Sequence, residues 1–143
     1  MYRYRIINSR VISPFWARYA YREGRTLDLA LMRDAAQFFH GEHDWTAFSA
    51  VQTDAQSRVR NVTSVEIKAD WDRRANATLI EIEVSANGFL RYMVRSMVGA
   101  LIAVGLGDLS PESIAQAIKS GDRPLAVVTA PACGLTLLRV RYD

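Results

Sequence analysis

The chain predicts an α+β fold with the split βαβ order of ferredoxin-like proteins, an antiparallel sheet with helices packed on one face. The first observation behind this is a strand-like alternation of apolar and polar residues in four separate stretches. The second is helical spacing in two others, TLDLALMRDAAQFFHG and GFLRYMVRSMVGALIAVGLG. The third is their order: strand, helix, strand, strand, helix, strand, with a short extra helix before the last strand.

The opening Tyr2-Arg3-Tyr4-Arg5-Ile6-Ile7 alternates as a strand should, and Ser13-Pro14 lies beyond its end. In the first helical stretch Leu31, Ala35, Phe38 and Phe39 share a face. Asp28 suits the N-terminal turn and Gly41 the C-cap. The polar segment EHDWTAFSAVQTDAQSRVRN reads as a long loop with local turns. Residues 62–70 alternate through Val65, Ile67 and Ala69, and 78–86 through Ile80, Ile82 and Val84. DWDRRANA between them suits a hairpin connection. A helix from about Asn87 to Val104 is apolar around most of its circumference, which marks it as buried on several sides. A short helix follows, with Ser110 as cap, Pro111 in the first turn and Gly121 at the end. GLTLLRVRYD closes the chain as a strand.

The apolar stretch at 88–107 is not a membrane span. Its uninterrupted apolar run is only Met97 to Leu106, and a bilayer needs about 20 residues. The N-terminus has no signal-peptide core. A length of 143 residues fits one domain with a real core. The lone Cys133 excludes an internal disulfide and fits a reducing, cytoplasmic compartment. Net charge is +3, and every basic residue except Lys68 and Lys119 is arginine. Arginine's planar fork suits phosphate and bases, but codon bias gives the same composition.

Two arginines, Arg91 and Arg95, sit inside the most apolar segment, four residues apart and so on neighbouring positions of one helical face. Gly88 and Gly99 bracket them and permit close approach by another backbone. Arg91 reads equally as a solvated side chain whose stem covers apolar surface. Arg95 is deeper in the run, and a buried arginine requires an anionic partner, a carboxylate or a phosphate.

Three stretches resemble the C-terminal half of the bacterial A-type tRNA pseudouridine synthases: YRYRIIN, GFLRYMVRSMVGALIAVGLG and RPLAVVTAPACGLTLLRVRY. GEHDWTAFSA and RVRNVTSVEI also resemble family segments, in the same order and spacing. The resemblance implies isomerisation of anticodon stem-loop uridines by an aspartate nucleophile, without metal or organic cofactor, in an enzyme that generally works as a homodimer on tRNA. It implies half of a pseudouridine synthase fold for this chain. It also assigns three positions. Tyr2 would pack on the target base, as aromatic faces support flipped bases. Arg95 would pair with the aspartate and keep it ionised. Leu135 would line the uracil pocket and exclude water.

The family's Arg-Thr-Asp-Ala-Gly-Val-His motif, which carries the nucleophile upstream of the tyrosine strand, does not occur here. Asp54 in VQTDAQS is a poor substitute, because the flanking Arg and Gly are missing and it lies downstream of Tyr2. The expectation is a single domain over residues 1–143, the C-terminal part of a longer enzyme, inactive by itself.

Other candidates carry less. His40, Glu42 and His43 are better read as a helix-terminal polar loop than as a metal site, which needs further ligands. Arg58 and Arg60, with Arg91, are the candidate RNA-binding residues. They could reach phosphates, which position nucleic acid without reading sequence, or lie in a solvated loop. Trp45 and Phe48 read as packing residues, and Cys133 as a small buried hydrophobe. The alternative function is a stand-alone RNA-binding or dimerisation module. Neither VTSVEIKAD nor ATLIEIEVS carries the aromatic signature of an RNA-recognition motif.

Overall fold

The computed structural model describes residues 1–140. Strand β1 (Tyr2–Asn8) runs up the middle of a sheet with β5 (Ala77–Ala86) antiparallel along one side. Beyond β5 lie β4 (Val59–Asp72) and then β3 (Gly41–Asp44), each antiparallel to its neighbour. The other edge of β1 is shared. β6 (Leu135–Leu137) pairs antiparallel with Tyr2 to Tyr4, and the short β2 (Tyr21–Glu23) pairs parallel with Ile6 to Asn8. Leaving out β2 and β3, the order β6-β1-β5-β4 is the expected antiparallel arrangement; β2 makes the full sheet mixed.

Alternation decides what each face does. Tyr4, Ile6, Ile80, Ile82 and Val84 point to one side and are fully buried there under the helices. Arg3, Arg5, Lys68, Glu81 and Glu83 point to the other and form a ladder of ion pairs, such as Arg3 Nη2 to Glu83 Oε1 at 3.0 Å. At one end of that second face Ile7, Ala20 and Ala77 make a small separate core, against which Trp16 packs. The β4–β5 turn carries Asn76 at φ +51°, a left-handed position that Asn tolerates.

Helix α1 (Leu29–Ala36) starts where Asp28 accepts a hydrogen bond from Leu31 N. Its buried face is Met32, Ala35 and Ala36, continued by Phe39 in a 3-10 turn, while Leu31 is exposed. The expected face is therefore rotated. The reason is Gly105, whose missing side chain leaves a hollow that the Met32 thioether fills; a Cβ there would lie 2.7 Å from the sulfur. Gly41 does not cap this helix; at φ +108° it starts β3, whose remaining residues fall in the stretch expected to be loop. That segment is polar because β3 is an edge strand with little burial. Trp45 and Phe48 do pack: both are fully buried beside Phe39, and Trp45 Nε1 donates to Arg60 O.

Helix α2 (Met93–Gly105) starts later than its apolar pattern predicts, because Tyr92 at φ +63° cannot belong to a right-handed helix. Nearly all of α2 is buried, and each such Leu, Val or Met stabilises the fold by about 1.5–3 kcal/mol. Helix α3 (Pro111–Ser120) follows as expected, with Gly121 left-handed at its C-cap. Ser110 occupies the N-cap position, but its hydroxyl meets the Ser113 hydroxyl. The last strand is shorter than expected: β6 ends at Leu137, and the remainder of the expected strand at 141–143 lies outside the described residues. Cys133 is exposed rather than buried. No helix among the described residues is long and apolar enough to cross a membrane.

Candidate active-site cleft

Tyr2 opens β1 and Leu135 opens β6, two strands paired in register, so both side chains emerge on the helix-bearing face. Arg95 lies in the first turn of α2. The fold brings all three together around one cavity of about 280 Å³, whose wall is completed by Phe89 and Tyr92. Tyr2 is held by an edge-to-face contact with Phe89, ring centroids 4.9 Å apart. Arg91 also reaches this rim, but from the turn before α2, so it does not share a helical face with Arg95.

Arg95 is half-buried. Its Nε donates to Ala130 O at 2.7 Å, and its guanidinium lies 5.0 Å from the Tyr92 ring centroid. Among the described residues no carboxylate pairs with it and neither terminal nitrogen makes a hydrogen bond. Its position is set by the segment 123–130. Gly99 lets that segment come close: a Cβ at 99 would overlap the Val128 carbonyl. The expected backbone approach at Gly99 is thus present, whereas Gly88 faces the Arg60 side chain. Beside the cavity, Tyr4 donates to Pro131 O at 2.6 Å. Burial, with Cys133 and Tyr21 adding, pushes its phenol well above the usual tyrosine range, and Arg95 pulls it partly back.

Apart from Arg91 at the rim, the other candidates sit elsewhere. Arg58 donates to Ser49 Oγ, Ala50 O and Val51 O, tying down the loop after a 3-10 turn at Thr46–Phe48. Arg60 folds back on Ser57 O and Val59 O. Arg91 is exposed, stacks on Tyr92 at 4.8 Å and donates to its hydroxyl. Asp54 is exposed and lines no part of the Tyr2–Arg95–Leu135 cavity. His43 rests on Trp45 with Nε2 against His40 O. Among the described residues no three His, Cys, Asp or Glu side chains stand close enough to hold a metal.

Two residues of this region escaped sequence reasoning. Tyr92 gives no pattern signal, because its role comes from a left-handed backbone that puts its ring between Arg91 and Arg95. Arg123 donates to Ala47 O, Ser49 O, Thr129 Oγ1 and Ser96 Oγ, joining three chain segments. Burial alone lowers its pKa. An arginine heading the apolar run RPLAVV was the available signal.

An α+β sheet with helices on one face and an arginine-lined cleft at the sheet edge defines a class with many members. Sequence comparison narrows it. The profile of the tRNA pseudouridine synthase family matches residues 35–143. The chain is 41% identical over 141 residues to a tRNA pseudouridine synthase A of Pelobacter propionicus, covering 99% of this chain and 55% of that protein. It is 39% identical to tRNA pseudouridine synthase A 2 of Bacillus anthracis over 99% of this chain and 55% of that one. Identity to tRNA pseudouridine synthase A of Thermodesulfovibrio yellowstonii is 39%, over 99% and 57%. The chain belongs to the tRNA pseudouridine synthase family, and it spans little more than half the length of these relatives.

Proposed function

We propose that residues 1–143 form the C-terminal, base-holding part of a tRNA pseudouridine synthase that isomerises uridines of the anticodon stem-loop. The target uracil enters the cavity between Tyr2 and Leu135. A carboxylate nucleophile, supplied by a segment outside these residues, meets the Arg95 guanidinium there. The observation that carries this reading is the half-buried guanidinium at the wall of an aromatic and apolar cavity, held through Nε and unpaired with any carboxylate among the described residues. Such a group is positioned and electrostatically incomplete.

In this reading each residue has one task. Tyr2 supports the flipped base by ring contact, and Phe89 keeps Tyr2 from rotating away. Leu135 keeps water off the detached uracil. Arg95 holds the aspartate ionised and aims it, so it attacks the sugar carbon as the bond to uracil breaks. The uracil then turns within the cavity and its C5 attacks the sugar carbon, displacing the aspartate as a free carboxylate; loss of the C5 proton and gain of one at N1 complete the isomer. The surface around Arg58, Arg60 and Arg91 contributes to holding tRNA, and the whole enzyme is a homodimer.

The test is tritium release from an anticodon stem-loop RNA labelled at uridine C5. We expect none from the 143-residue chain alone. Release should follow addition of the N-terminal part of the Pelobacter propionicus relative, and fall about 100-fold or more with Arg95→Ala. Isomerisation by the chain alone, or full activity of the Arg95→Ala mixture, would overturn the reading.

A further inference from the structure

A second cavity, of about 820 Å³, opens beside the first. Arg58, Arg91, Arg123 and Gln52 line it, and no carboxylate does so among the described residues. Arg91 and Tyr92 line both cavities, so they are neighbours sharing a wall. The distribution of charge sets this end of the molecule apart. The ion pairs among the described residues lie on the far face of the sheet, around Glu81 and Glu83, or join Glu23 to Arg25. None involves Arg58, Arg91, Arg95 or Arg123.

Arg58 and Arg123 are nevertheless fixed. Their bonds go to neutral groups, the carbonyls of 47 and 49–51 and the hydroxyls of Ser49, Ser96 and Thr129. Carbonyls and hydroxyls satisfy donors but leave the net charge standing. A guanidinium has five N–H donors. Arg58 spends three of them and Arg123 four on the protein, so each keeps at least one for a ligand. Partly enclosed positive charge of this kind concentrates the field inside the cavity and favours an anion. The volume is far more than one phosphate ion fills, which suits an extended chain of them.

We propose that this second cavity seats the sugar–phosphate backbone of nucleotides adjoining the one whose base enters the first cavity, with Arg91 as the direct contact and Arg58 and Arg123 as fixed sources of field. The proposal rests on the base-holding role of the first cavity only for the identity of the neighbouring nucleotide. It divides the cleft into an aromatic seat for a base and a basic seat for backbone, since phosphate contacts position a strand and base contacts identify it.

The test measures anisotropy of a labelled oligouridylate titrated with the 143-residue chain over a range of KCl. Arg91→Gln, an exposed change, should weaken binding about 5–10-fold and reduce the log–log salt slope by roughly 0.7, one single-strand phosphate contact. Gln52→Glu, which makes no structural hydrogen bond and adds a negative charge at the rim, should weaken it about 3–10-fold. Inorganic phosphate and uridine monophosphate should compete only at much higher concentration than unlabelled oligouridylate. Wild-type affinity and slope in both variants would overturn the proposal. So would competition by inorganic phosphate as effective as by the oligomer, or no binding by the wild-type chain up to about 100 µM. Tyr2→Ala separates the two readings. If it leaves binding unchanged while Arg91→Gln weakens it, the base seat fails and the backbone seat stands. If Tyr2→Ala weakens binding while Arg91→Gln does not, the backbone seat fails and the base seat stands.

Discussion

Arg95 and Ala130 are bound to each other twice. The arginine Nε donates to Ala130 O at 2.7 Å, and Ala130 N donates to Arg95 O at 3.0 Å. The first bond aims the side chain; the second fixes the segment that does the aiming to the first turn of α2. The direction of the guanidinium is thus a property of the contact between α2 and residues 123–130.

Gly99→Ala tests that contact. Its Cβ would overlap the Val128 carbonyl, which is backbone and cannot swing aside. The segment must shift, at a cost of about 1–3 kcal/mol. Urea unfolding should show that loss, and the Arg95 Nε–H resonance should lose its protection from exchange as Ala130 moves.

Tyr92 tests the stacking. Tyr92→Gly removes the cost of a left-handed tyrosine, so stability should change by less than about 1 kcal/mol. The same change removes the ring lying 5.0 Å from Arg95, and ¹⁵N relaxation of the Arg95 side chain should report greater mobility. Tyr92→Phe keeps the ring and should leave Arg95 as ordered as in wild type.

Arg123→Lys keeps the charge but not the fork. One ammonium cannot reach Ala47 O, Ser49 O, Thr129 Oγ1 and Ser96 Oγ together, and Ser96 is fully buried. Unsatisfied groups should lower stability by about 2–3 kcal/mol in denaturant unfolding.

Glu83 tests the ion-pair face. Its bond from Arg3, working against burial and helped by Lys68, holds the carboxyl below its ordinary value of 4.5. A carboxyl held down in the folded state stabilises it fully above the unfolded value. That contribution disappears as pH falls through the folded value. Stability from this source should therefore be flat above about pH 5 and decline below 4.5. Glu83→Gln should cost about 1–2 kcal/mol at pH 7 and flatten the acid limb of melting temperature against pH.

The sequence by itself determined the two-faced strands, because a side-chain period of two leaves Tyr4, Ile6, Ile80 and Ile82 on one face and Arg3, Arg5, Glu81 and Glu83 on the other. It determined the α3 boundaries and the apolar character of α2, and its motifs singled out Tyr2, Arg95 and Leu135. Periodicity did not show β3, a polar edge strand, or the true start of α2, which depends on one left-handed residue. Tertiary structure alone decided what meets across the cleft. Residues 93 positions apart, Tyr2 and Arg95, share a cavity because β1 runs beside β6 and Gly99 admits the 123–130 segment against α2. The physical reason is that local pattern records which way a side chain faces, while the partner it finds depends on the close packing of distant backbone.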